Sequence, residues 1–65
     1  MELNELLRKA LTPLEGQRPG QAFMNSIFVH QRDLYYALHD AGIDAFYDDT
    51  KVWAAVEWIT NNWKN

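Results

Sequence analysis

The sequence contains no cysteine. That excludes disulfides, cysteine-ligated zinc and thiol redox chemistry, and it suits a cytoplasmic protein. Glycine and proline are scarce, at three and two residues. No glycine-rich phosphate cradle can be assembled from them. GQRPG (Gly16 to Gly20) is the one linker-like stretch, too short to separate domains. Positive charge is also in short supply. Six Lys/Arg stand against nine Asp/Glu, for a net charge of −3. Phosphate-driven nucleic-acid binding needs clustered cations, so this balance disfavours it. No run approaches the ~18 apolar residues of a membrane span. The opening MELNELLRKAL lacks the basic start and unbroken apolar run of a signal peptide. Internal repeats and low-complexity tracts are absent.

Aromatic side chains are plentiful: nine in 65 residues, more than a disordered chain carries. The length sets a single domain, 1–65. A domain this small buries only ~60% of its unfolded surface, so its stability is marginal and association would support it.

Hydrophobic spacing predicts helices throughout. Leu3, Leu6, Leu7, Ala10, Leu11 and Leu14 repeat at i, i+3, i+4, i+7, i+8 and i+11. Glu2 and Glu5 precede Arg8 and Lys9, the order that the helix dipole favours. Pro13 is expected to end this helix near Leu11 or Thr12. Thr12-Pro13-Leu14-Glu15 then reads as a fresh helical start, cut short by Gly16. Pro19 opens a second helix carrying Phe23, Met24, Ile27 and Phe28. A short strand over 23–30 is the alternative, but it would lack a partner. The pattern changes phase near His30–Asp33. A third helix follows with Leu34, Ala37, Leu38 and Ala41 inward, stopped by Gly42 with Ile43 packing back. DAFYDDT reads as a loop or single turn. Asp48, Asp49 and Thr50 supply caps for a last helix from about Lys51 to Trp63. The expected fold is all-α, a compact bundle of about four short helices, the second and third nearly continuous.

WAAVEWITNNW raises a separate question, because its three tryptophans are spaced five apart. A step of five turns a helix by ~140° net, so they point in three directions. Measured from Val52, Trp63 lies ~20° away, Trp53 ~100° and Trp58 ~240°. Trp63 is expected in the core, Trp53 at its border and Trp58 outside it. Tyr36 sits ~200° from Leu34, nearly opposite the third helix's apolar stripe. Trp58, Tyr36, Trp53, Tyr47 and Phe46, with Val29 beside them, form the candidate partner-binding set. Trp and Tyr are frequent anchors of binding hot spots. Trp58 covered by the first helix or the C-terminal tail is the plainer reading.

Other constellations carry less. Asp40, Asp44, Asp48 and Asp49 lack the alternation, central glycine and terminal glutamate of a calcium loop. They read as caps and solvated charge, not as a metal site. His30 and His39 share no ligand spacing. Ser26 and His30 sit at i, i+4, but no acid or oxyanion donor completes a nucleophilic site. Asp33 to Trp58 can be drawn as a helix-turn-helix around Gly42. Its recognition segment would then present Asp44, Asp48 and Asp49 to phosphates. The last helix, with only Lys51, Glu57 and Lys64 charged, is no basic membrane helix.

RPGQAFMN (Arg18 to Asn25), DLYYAL (Asp33 to Leu38) and DAFYDD (Asp44 to Asp49) follow one another in a familiar order. The succession resembles that of small uncharacterised proteins of bacteria and their phages, over roughly the middle half of the chain. The resemblance implies a bacterial or phage setting and transfers no catalytic role. In the same stretch, Arg18 is placed to reach back to Asp48 or Asp49 and pin the FYDD turn against the second helix. The resulting expectation is a cytoplasmic helical interaction protein: an inhibitor, adaptor or accessory factor. It would bind a protein partner or a second copy of itself, without cofactor, metal or catalysis. A DNA-linked regulator is the alternative.

Overall fold

The computed structural model describes residues 1–63 and is all-α. Its helices are α1 (Leu3–Ala10), α2 (Pro19–His30), α3 (Arg32–Asp40) and α4 (Val52–Asn62), with a 3₁₀ turn at Asp49–Lys51 leading into α4. Leu6 and Ala10 of α1 are buried, as are Phe23, Met24 and Ile27 of α2. Leu38 of α3 and Val52, Ala55 and Ile59 of α4 complete one core with Ala45 from the connecting loop. α2 is central, packing on α1, α3, α4 and the 3₁₀ turn. No polar side chain is buried among the described residues, so apolar burial drives this fold. None of their helices is long and apolar enough to cross a membrane.

Residues 23–30 are helical, which settles the strand alternative. α2 and α3 are separated by Gln31 alone, whose φ of −145° and ψ of 75° break the helix. Its N–H still donates to the Ile27 carbonyl at 2.7 Å. Its own carbonyl accepts from Leu34 and Tyr35 N–H groups at 3.0 and 3.2 Å. One residue thus closes one helix and opens the next, which produces the phase shift in the apolar pattern.

The end of α3 follows its sequence closely in backbone, although Ala41, expected inward, is the C-cap residue and is exposed. Gly42 has φ +77°. Its N–H donates to the His39 carbonyl, and the Ile43 N–H to the Leu38 carbonyl, both at 3.1 Å. This is the Schellman arrangement, with Ile43 returning to the core beside Leu38.

The expected helical start at Thr12–Glu15 does not form. The Thr12 hydroxyl turns back to the Arg8 carbonyl at 2.6 Å and finishes α1 instead. Leu14 to Gln17 is a tight turn closed by the Gln17 N–H on the Leu14 carbonyl at 3.1 Å. Gly16 supplies φ +79° at its third position, as a type II turn requires. Leu11 and Leu14 therefore leave the apolar stripe and are exposed.

Candidate functional site

The segment between α3 and α4 is built around three carboxylates, Asp44, Asp48 and Asp49. Asp44 Oδ1 accepts the Phe46 N–H at 2.8 Å, forming an Asx turn, and its Oδ2 lies 3.2 Å from His39 Nδ1. This pair turns the chain so that Ala45 is buried, Phe46 packs on the core and Tyr47 points outward. Asp48 caps the 3₁₀ turn, accepting the Thr50 N–H at 3.0 Å and the Thr50 hydroxyl. The hydroxyl, followed by the N–H, holds the Asp48 carboxyl below the ordinary aspartate range, with a smaller pull from Lys51; partial desolvation opposes them.

Asp49 anchors the whole segment on the start of α2. Its Oδ1 accepts the Gly20 N–H at 2.9 Å and an Arg18 guanidinium N–H at 3.2 Å. The other arm of Arg18 donates to the Phe46 carbonyl at 2.7 Å. The spacing-based proposal of an Arg18 clamp is thus met by Asp49, while Asp48 serves the local cap. Gly20 N–H is one of the orphan donors of α2's first turn, and it is satisfied from 29 residues away. The approach requires glycine, since a Cβ at Gly20 would run into the Ala45 carbonyl oxygen and lie 2.8 Å from Asp49 Oδ1.

On this frame the aromatic candidates separate into two groups. Tyr47 is 87% exposed and Trp53 70% exposed, on either side of the 3₁₀ turn. Tyr36 is 52% exposed on α3. Trp58 and Phe46 are only half-exposed and pack against the core. The placing of Trp58 outside the core is corrected by the true direction of α4's buried face. Val52, Ala55 and Ile59 centre that face between Ala55 and Val52, not at Val52 itself. Measured from that centre Trp58 lies ~95° away and Trp53 ~125° away, so Trp53 is the outlying indole. Trp63 follows the end of α4 in extended conformation and is half-buried against the core. Lys64 and the tail lie outside the described residues.

The candidates do not form one stacked patch. Tyr36 belongs to a cluster with Phe28 and Tyr35, ring centroids 5.0 to 6.4 Å apart and edge to face. The Arg32 guanidinium lies 4.8 Å from the Phe28 centroid, capping the cluster by cation–π attraction. Phe46 and Tyr47 form a second edge-to-face pair at 4.8 Å. Sequence reasoning missed the Phe28–Arg32–Tyr35 cluster. The four-residue spacing of Phe28 and Arg32 was its signal, hidden by the break at Gln31.

The cations are dispersed. Arg18 is held by Asp49 and the Phe46 carbonyl, and Arg32 lies over Phe28. Arg8 borders a recess with Glu2 and Glu5, and Lys9 faces α2 across a groove. α3 and α4 are joined by residues 41–51, whereas a helix-turn-helix uses a turn of three or four residues. The geometry gives that reading no support. Among the described residues, no three His, Asp or Glu side chains gather as a metal site would need. No family model, curated protein or solved structure matches the chain.

Proposed function

We propose that this chain is a small protein–protein interaction module, an inhibitor, adaptor or accessory factor, working through its outward aromatic side chains. The observation that carries this reading is the exposure of Tyr47 and Trp53 beside a 3₁₀ turn that is itself firmly pinned. The core closes without either ring. Large aromatic side chains on a rigid support bury much surface on binding at little entropic cost, as hot-spot anchors do. Tyr36 extends the surface on α3, and the half-exposed edges of Phe46 and Trp58 can contribute to it. The simplest form of the interaction is a homodimer, which would also support a marginal domain. A cytoplasmic, bacterial or phage setting belongs to the same proposal.

The test is sedimentation equilibrium over a wide concentration range, on wild type and on a Tyr47→Ser/Trp53→Ser double variant. Self-association of wild type, with the variant a folded monomer, makes these rings the dimer anchors. If wild type is monomeric, both proteins are immobilised and exposed to a bacterial lysate. A protein retained by wild type alone supports a foreign partner. Identical retention by both, from a monomeric protein, overturns the reading.

A further inference from the structure

The bend between α2 and α3 has no local cause in the sequence. No glycine or proline occurs from Gln21 to Ala41, and Gln31, the one residue of the bend, is a good helix former. α3 starts without a side-chain cap. The Arg32 and Asp33 N–H groups meet no backbone acceptor, and the Phe28 and Val29 carbonyls four residues earlier meet no backbone donor. These are the pairs that one continuous helix would close. The change of phase at His30–Asp33 is confined to that turn as well. On an unbroken helix Leu34 and Leu38 return to within ~20° of Ile27. Met24, Ile27, Gln31, Leu34 and Leu38 then follow the three-four spacing of a single seam, with Gln31 its one polar member. Two things hold the bend. One is the packing of α3 on α2. The other is Phe28, whose ring lies 5.0 Å from Tyr35 and 6.4 Å from Tyr36. On a straight helix ~10 Å or more of rise separates residues this far apart in sequence, so these ring contacts belong to the bent chain alone.

We propose that two copies of this chain exchange their second halves. Gln31 becomes helical, and α2 and α3 join into one helix ~33 Å long. α3, the 3₁₀ turn and α4 of each copy then pack on α1 and α2 of the other. The surface that the second copy covers is the one that α3 and α4 cover in the monomer. Contacts between the two halves are kept but become intermolecular, including those of Asp49 with Gly20 and of Arg18 with the Phe46 carbonyl. The exchange gains the helical hydrogen bonds across residue 31 and gives up the Phe28 contacts with Tyr35 and Tyr36. It needs no new complementary surface, which makes it a low-cost route to a dimer. Short hinges invite such exchange, and here the hinge is one residue. Tyr47 and Trp53 take no part in it, so this dimer stands apart from the aromatic surface.

Refolding of mixed chains tests the proposal. Equal amounts of ¹³C-labelled and unlabelled protein are unfolded together in urea, refolded at high and at low protein concentration, and separated by size. The expected product at high concentration is a folded dimer. Its isotope-filtered spectra should show nuclear Overhauser contacts between labelled Gly20 and unlabelled Ala45, residues that touch within the monomer. A Gly-Ser-Gly insertion after Gln31 interrupts the joined helix and leaves room for the bend, so it should abolish the dimer and give a folded monomer. Phe28→Ala removes contacts that only the monomer has and should raise the dimer fraction several-fold; a fall would count against the exchange. The Tyr47→Ser/Trp53→Ser variant should still form the dimer. No dimer after concentrated refolding overturns the proposal, as does a dimer that survives the insertion. A dimer whose Gly20–Ala45 contacts all lie within one chain overturns it too, and its loss in the Tyr47→Ser/Trp53→Ser variant would assign it to the aromatic surface instead.

Discussion

Asp49 accepts a hydrogen bond from the backbone N–H of Gly20 at 2.9 Å, joining the start of α2 to the turn that begins α4. Helix N-termini are usually capped by a neighbour in sequence. Here the position before Pro19 is Arg18, whose side chain makes no cap, and a distant carboxylate takes the role.

Gly20→Ala is therefore expected to destabilise the domain far more than glycine-to-alanine changes inside helices usually do. Propensity alone would favour alanine by ~1 kcal/mol. The added methyl has to displace the Ala45 carbonyl and crowd Asp49, a net cost of about 2–4 kcal/mol. Urea denaturation measures it, and a stabilised variant would show that the loop yields easily.

Arg18→Gln and Asp49→Ala should differ in size. The ion pair is nearly half exposed on both sides, so loss of Arg18 costs about 1 kcal/mol, including its bond to the Phe46 carbonyl. Asp49→Ala removes the pair and also the α2 cap, for about 2 kcal/mol. Thermal melts of both variants and the double mutant test this. The double mutant should fall below Asp49→Ala only by the Arg18 bond to the Phe46 carbonyl, because the ion pair that the two residues share is lost once.

The two indoles of α4 should respond in opposite ways. Trp58→Ser removes a half-buried side chain that packs on the core and is expected to cost about 2–3 kcal/mol. Trp53→Ser should leave stability within about 0.5 kcal/mol, because its ring stands mostly in solvent. Chemical denaturation followed by circular dichroism avoids relying on the fluorescence that each change removes.

Asp48 ties stability to acid. Its folded carboxyl is held below the ordinary range by Thr50. A depressed folded value means that the contribution is complete above the unfolded aspartate pKa of ~3.9 and is lost as pH falls through the folded value. Thr50→Val removes the hydroxyl but keeps the N–H donor. Its melting temperature should consequently fall less steeply than wild type's as pH drops below about 4.

The helices were legible because local signals agreed with tertiary demands. Gly42 and Ile43 spell out the end of α3, and the α1 stripe survives as far as Ala10. Thr12–Glu15 misleads because capping residues bond in either direction: the Thr12 hydroxyl found the carbonyl behind it, not an N–H ahead. Trp58 misleads because the centre of a buried face is set by neighbouring helices, and Val56 is only half-buried. The charges of Arg18 and Asp49 hinted at their contact, but the partnership of Asp49 with Gly20 needs a backbone approach that no side-chain pattern encodes. Of the aromatic set, Tyr36 is outward as its helical angle predicts, whereas Phe46 and Tyr47 are sorted by the Asx turn at Asp44.

The long-range cap also has a consequence for biosynthesis. A chain elongating from its N-terminus possesses all of α1 and α2 before the residue that completes α2's first turn has been added. Until Asp49 follows, the Gly20 N–H has no carboxylate to meet, and the Ala45 carbonyl that presses on Gly20 is missing as well. An isolated helix of α2's length is marginal in water. The nascent first half therefore lacks this cap, and α2 gains it only when Asp49 has joined the chain.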